Sequence, residues 1–184
     1  MTRDEALELI KSKIKNQNLI KHMLASEAIM KEFAKKLGQT ETEWGIVGLI
    51  HDLDFEETKD TPEKHSLITA DILKGKGFSE EQLSAIKAHN AESLGLERKT
   101  KLDFALTCAE QITGLIVACT LVQPDKKLTS VTPESILKKF KQKSFATNVS
   151  RDDIKLCEKL GLSLEEFVSL SLQSMQSISN NLDL

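Results

Sequence analysis

Tyrosine is absent from this 184-residue chain, tryptophan occurs once, and aromatic residues make up only 4%. Single-stranded nucleic acids are held on stacked aromatic faces, so this poverty argues against a binder of nucleic-acid polymers. Cysteine is scarce as well. Cys108, Cys119 and Cys157 are odd in number, form no CxxC and sit in apolar helical contexts. They read as reduced packing residues of a cytoplasmic protein. Neither sign of charge dominates: the formal net charge is -3, which points neither to nucleic acid nor to a membrane surface. No uninterrupted apolar run approaches the roughly 18 residues that span a bilayer. The opening Met1-Thr2-Arg3-Asp4-Glu5 lacks a signal-peptide apolar region. No membrane partner is expected, and oligomeric state is not legible.

What is present is an ordinary globular composition, 40% hydrophobic and 29% charged, at a size that suits a single domain spanning 1–184. Almost every segment reads as helix. Thr2 and Glu5 form a capping box for a helix through about Lys15. Asn18 can cap a second, with Leu19, Met23, Met30, Phe33 and Leu37 as its apolar stripe and Gly38 as its stop. A third runs from about Thr42 to Asp52. An acidic loop follows from Leu53 to Thr61. Thr61-Pro62 reads as the N-cap and first residue of a fourth helix reaching Lys74, and Ser79 to Gln82 as the capping box of a fifth ending at His89-Asn90. After a polar connector, a long helix from about Thr100 to Val122 is apolar around most of its circumference, as befits a central helix. A basic stretch includes a helix capped by Thr132-Pro133. Two last helices start at Ser150 and at the capping box Ser163 to Glu166. No strand is convincing, so the fold expected is all-α.

The chain has four histidines, His22, His51, His65 and His89. Each falls on a different successive helix and shares a face with apolar residues. Trp44, Val47 and Gly48 lie seven, four and three residues before His51, so His51 points where the apolar face points. Asp52 is rotated from it by about 100° on a regular helix. A buried imidazole beside a buried carboxylate is costly unless compensated, and a bound cation is one compensation. Taken alone, a His-Asp pair is better explained by a hydrogen-bonded core. A helical bundle, however, can bring inward-facing residues of separate helices to one point. His22, His51, Asp52 and Glu110 then offer nitrogen and oxygen ligands to one divalent ion. His65 and His89 can hold a second, with Asp52 bridging. Mixed imidazole and carboxylate ligation suits Fe, Mn, Zn, Ni or Co better than Ca or Mg alone.

The order His22, then His51-Asp52, then a carboxylate deep in a later helix resembles the HD superfamily of metal-dependent phosphohydrolases, with an HD core over about 18–118 and a helical extension over about 119–184. His65 and His89 resemble the branch that binds two metals. The spacings agree, 29 residues from His22 to His51 and 24 from His65 to His89. The segments His51-Asp52-Leu53-Asp54, His89-Asn90 and Thr113-Gly114-Leu115-Ile116 look like those of small bacterial and archaeal HD proteins. One position departs. Glu110 stands where the family has its final aspartate, and its extra methylene carries the oxygens about 1.5 Å farther out. Thr113-Gly114 is small enough to let such a site adjust.

The resemblance implies hydrolysis of a phosphomonoester or phosphodiester of a nucleotide or small phosphorylated metabolite by a metal-activated water. Asp52 would ligate one ion or bridge two, and Asp54 would orient a water or a ligating histidine. Lys59, in the loop after the doublet, is a candidate contact for substrate phosphate. Arg151 is a second, because a cation at a helix start opposes the helix dipole. The lysines from Lys138 to Lys143 read as a solvated face. Two other readings stay open: a metal-retaining regulatory or ligand-binding HD module with little turnover, and a di-iron oxygenase on the same scaffold.

Overall fold

A computed structural model describes residues 1–184 and contains only helices. In chain order these are α1 (Arg3–Lys13), α2 (Gln17–Leu37), α3 (Glu41–Ile50), α4 (Phe55–Thr58), α5 (Leu67–Leu73), α6 (Glu80–Ala88), α7 (Ala91–Leu94), α8 (Lys101–Leu121), α9 (Pro133–Phe140), α10 (Arg151–Ile154), α11 (Leu164–Ser177) and α12 (Ser179–Leu182). Short 3-10 segments occupy Leu128–Ser130 and Lys155–Leu160.

The central helix is α8, which packs against α2, α3, α6, α9, α10, α11 and the 3-10 segment at 155–160. Thr100 and Asp103 close its start as a capping box. Its buried residues (Leu102, Ala105, Leu106, Ala109, Ile112, Leu115, Ile116 among them) surround more than one face, so several helices can seat on it at once. By length and composition it would pass for a membrane span, yet 61% of its apolar window is buried inside the fold. The three cysteines are buried and unpaired, consistent with packing roles.

Helices α2 and α3 form the tightest pair. A Cβ on Gly48 would lie 2.8 Å from both the Ser26 carbonyl oxygen and Met30 Cγ, so only hydrogen fits between the two backbones. This close approach brings His51, at the C-cap of α3, against His22 on α2.

Capping chemistry set most boundaries where the sequence suggested. Two differ. Asn16, not Asn18, caps α2, its side chain accepting from the Asn18 amide. Residues 62–66 do not begin a helix at Pro62: they make successive turns, Ser66 adopts φ 70°, and α5 starts only at Leu67. The cause lies outside the segment. Asp54 accepts from the Ser66 amide at 3.1 Å and the Thr69 amide at 2.8 Å, so a carboxylate from the preceding loop serves as the N-terminal cap of α5. His65 therefore sits in a turn rather than on a helix. The loop from Leu53 to Thr61 is likewise more structured than expected, with Leu53, Asp54 and Thr58 buried and α4 inside it.

Gly48→Ala is expected to lower unfolding free energy by about 1–3 kcal/mol, because the α2–α3 contact must open to admit a methyl group. The midpoint of urea denaturation measures it. A midpoint equal to the parent's would show that the two backbones are not in register through this glycine.

Candidate metal centre

His22 comes from the N-terminal half of α2, His51 and Asp52 from the end of α3, His65 from the turn before α5, and His89 from the C-cap of α6. Their ligating atoms form two groups that share Asp52. In the first, His22 Nε2 lies 3.2 Å from His51 Nε2, and the two rings stand 3.5 and 3.6 Å from Asp52 Oδ2. In the second, His65 Nε2 lies 3.0 Å from His89 Nε2, and they stand 3.3 and 3.4 Å from Asp52 Oδ1. One carboxylate thus turns one oxygen to each pair of imidazoles. Asp52 and His51 are buried, and Asp54 behind them is buried too.

The far side of each ring fixes which nitrogen is free. His51 Nδ1 donates to the Gly48 carbonyl at 2.9 Å, and His89 Nδ1 donates to the Ile86 carbonyl. His65 Nδ1 donates to Asp54 Oδ1 at 2.8 Å. His22 Nδ1 lies 2.8 Å from Thr113 Oγ1, whose own proton goes to the Glu110 carbonyl at 2.7 Å, so the hydroxyl accepts from the ring. Every Nδ1 is a donor. Each Nε2 lone pair consequently points into the centre, where it meets another lone pair and a carboxylate. Such an arrangement of donors, with no hydrogen to place between them, suits a cation. Ligands about 2.0–2.2 Å from one ion lie roughly 3–3.6 Å from each other, as these do. The four histidines and Asp52 fit divalent metal binding on this ground.

Electrostatics separate the two groups. Burial holds His51 down to about 3 against the pull of Asp52, and burial lowers His22 as well, so the first pair stays neutral. Burial also opposes the charge on His65, but hydrogen bonds to Asp52 and Asp54 outweigh it and raise the ring to about 9. Burial opposes the charge on Asp52, but the four imidazoles around it, His51, His65, His89 and His22, keep the carboxyl well below the usual carboxylate range. In the metal-free protein a proton on His65 occupies the second group, and nothing neutralises the first.

Asp54 was expected to orient either a water or a histidine. It orients His65, and through the Ser66 and Thr69 amides it fixes the turn that presents that ring. Glu110 is the main departure from expectation. Its carboxyl belongs to neither group and instead accepts from Gln111 Nε2 at 2.8 Å. Gln111 Oε1 in turn accepts from the Ser150 amide, tying Glu110 to the C-terminal region. Burial and the charge of Asp52 raise the Glu110 carboxyl well above its usual range. Gly114 is no source of slack for it, since a Cβ there would face Val149 at 3.0 Å.

The phosphate contacts proposed for Lys59 and Arg151 fare differently. Lys59 is exposed at the end of α4 and is held by no ion pair or side-chain hydrogen bond. Arg151 is not free. Its guanidinium donates to the carbonyls of Ala146 and Val149 at 2.7 and 2.8 Å, and to those of Phe140, Gln142 and Phe145. It holds the 141–150 loop together, which corrects its reading as an anion contact. The charged residue overlooked in the sequence is Arg98. It reaches the His89 carbonyl and Thr107 Oγ1 while paired with Glu92, so it braces the end of α6. Thr113 was missed as the partner of His22. Neither has a sequence signal, because both act across long separations.

The architecture and the histidine–aspartate cluster define a class: an all-helical protein with a largely buried site suited to divalent metal. The HD domain family matches residues 19–119, and the chain belongs to it. Among curated proteins it is similar to ribonuclease Y of Nitratidesulfovibrio vulgaris (strain DP4), 30% identical over 99 residues that make up 54% of this chain and 18% of the relative. Ribonuclease Y of Oleidesulfovibrio alaskensis is 27% identical over an equal stretch. The chain therefore covers less than a fifth of the length of these relatives. No solved structure matches it.

The two shifted histidines predict how metal-free protein responds to pH. His65 is raised from 6.5, so its contribution to stability is full below pH 6.5 and is lost as pH rises through about 9. His51 is lowered from 6.5, so its contribution is full above pH 6.5 and is lost as pH falls toward 3. Thermal midpoints of EDTA-treated protein should peak near pH 6–7, and manganese should remove the alkaline decline by replacing the proton. A midpoint that keeps rising to pH 9 without metal would contradict the assignment.

Proposed function

We propose that this protein is a two-metal phosphohydrolase acting on a phosphoester of a nucleotide or small phosphorylated metabolite. The observation that carries the reading is the pair of His-His-Asp groups sharing Asp52, with all four Nδ1 atoms committed as donors. Metal ions held there supply Lewis acidity, lowering the pKa of a bound water and neutralising charge on the phosphoryl oxygens. His22, His51 and Asp52 would hold one ion, and Asp52, His65 and His89 the other. Fe, Mn, Zn, Ni and Co all suit these donors.

The chain's own residues do the rest. Asp52 fixes the spacing of the two groups by presenting one oxygen to each. Asp54 keeps His65 in its ligating tautomer, and Thr113 does the same for His22. Glu110, its carboxyl raised by burial and the charge of Asp52 and now bonded to Gln111, would have to turn from that partner to serve the first group directly or through a water. Lys59 is the exposed cation nearest in sequence to the doublet and supplies a mobile contact for phosphate. The similarity to ribonuclease Y makes a phosphodiester the second substrate class to try. The low aromatic content and net charge of -3 favour a small molecule over a polymer.

Elemental analysis of protein purified without chelators should find up to two transition-metal ions per chain. Asp52→Ala should lose both, while His65→Ala and His89→Ala should keep the first. With the metal found, a panel of nucleotides, sugar phosphates, cyclic dinucleotides and short RNA should release phosphate or cleaved product from at least one class. Asp52→Ala should abolish turnover, and Asp54→Asn should reduce activity or second-ion affinity by about 10–100-fold. Metal content unchanged in both His51→Ala and Asp52→Ala would refute the site. Two irons with a mixed-valent signal and no phosphate release would favour the oxygenase reading.

A further inference from the structure

Beside the candidate metal centre lies a cavity of about 450 Å³ whose lining includes His22 and Thr113. His22 is the most accessible of the four imidazoles, its side chain 24% exposed against 12% for His65 and 5% or less for the other two. The cavity thus adjoins the centre at its most open histidine. A larger depression of about 640 Å³ between α2 and α11 contains none of the site residues and is walled by Glu32, Lys36, Glu165 and Glu166.

The walls beyond His22 are apolar: Ala25 of α2, Val117 and Leu121 of α8, Met175 of α11, then Leu182 and Leu184. The two charged groups at the rim are spent on each other, Lys21 Nζ pairing with Asp183 Oδ2 at 2.8 Å, and His22 Nδ1 and Thr113 Oγ1 are likewise paired, which leaves the Asn18 carboxamide as the rim's free polar side chain. Met175, Leu182, Asp183 and Leu184 lie outside the stretch that matches the HD family, so one wall is built by the C-terminal extension.

We infer that this cavity takes the apolar alcohol portion of a phosphomonoester whose phosphate sits at the His22, His51 and Asp52 group. The inference rests on the phosphohydrolase reading and narrows it. The volume falls within the range of about 300–1,000 Å³ usual for small-ligand sites. A base edge or sugar hydroxyls placed here would lose water and find few free partners, which penalises them. Each methylene of an alkyl group would instead be removed from water against Val117, Met175 and Leu182. In the reaction, the bond between phosphorus and the alcohol oxygen breaks and a bond from phosphorus to a water oxygen forms. One proton of that water goes to the departing alcohol, giving the free alcohol and phosphate.

The test uses manganese-loaded full-length protein and a series of methyl, butyl and hexyl phosphate, with adenosine monophosphate for comparison. kcat/KM should rise about fourfold per methylene until the cavity is filled, and hexyl phosphate should exceed adenosine monophosphate. Val117→Trp, which fills the cavity, should flatten that dependence. Leu121→Trp, at a position 51% exposed, does the same if the first variant fails to fold. In parallel, hexylphosphonate, which cannot be hydrolysed, should shift the methyl resonances of Val117, Met175 and Leu182 in the parent and not in the tryptophan variant. Hydrolysis with no chain-length dependence and no methyl shifts would overturn this inference and leave the phosphohydrolase reading intact. Methyl shifts without hydrolysis of any ester would support the binding site and overturn that reading. A chain-length dependence that survives both tryptophan variants would place the apolar group elsewhere and overturn the inference.

Discussion

Four imidazole lone pairs directed at one carboxylate are an arrangement that a folded chain does not adopt for stability alone. Asp52 is 6% exposed and His51 fully buried, so water can do little to screen the Nε2 lone pairs of His22 and His51 that face each other at 3.2 Å. Much of the surrounding structure maintains this crowding. Gly48 lets α3 press onto α2, Asp54 caps α5 and so places His65, and Thr113 holds His22 from the central helix. Remove the demand for converging nitrogens and these features have no common purpose.

The two halves of the centre differ in how they tolerate the absence of metal. The second can be neutralised by a proton on His65, because two carboxylates face that ring. The first faces only the other oxygen of Asp52, so burial wins and both rings stay neutral. The asymmetry follows from Asp54 alone. A cation entering the second group would displace a proton, whereas one entering the first would relieve bare repulsion between two neutral rings.

The C-terminal extension is more than a cover. It sends the Ser150 amide to Gln111, which carries Glu110, and it closes one wall of the cavity beside His22 with Met175, Leu182 and Leu184. Arg151, inside that extension, spends its guanidinium on five carbonyls so that the 141–150 loop keeps one shape. The cavity beside His22 is thus walled jointly by the HD-matched stretch and by the C-terminal extension.

Sequence alone determined most helix starts and singled out the four histidines and Asp52 that converge. Capping boxes at Thr2, Ser79, Thr100, Thr132 and Ser163 are local, involving residues three apart, and so each helix start was legible. His22, His51, Asp52, His65 and His89 were legible because each shares a helical or turn face with apolar residues and the order is distinctive. Tertiary structure decided everything that depends on distant partners. Asp54 displaced the start of α5 from Pro62 to Leu67, the backbone carbonyls claimed Arg151, and Gln111 drew Glu110 aside from the two triads. Arg98 and Thr113 gained their roles from residues 9 and 91 positions away. A cap or a helical stripe is written within one or two turns of chain, whereas a carboxylate's choice among partners is settled only when the helices have packed.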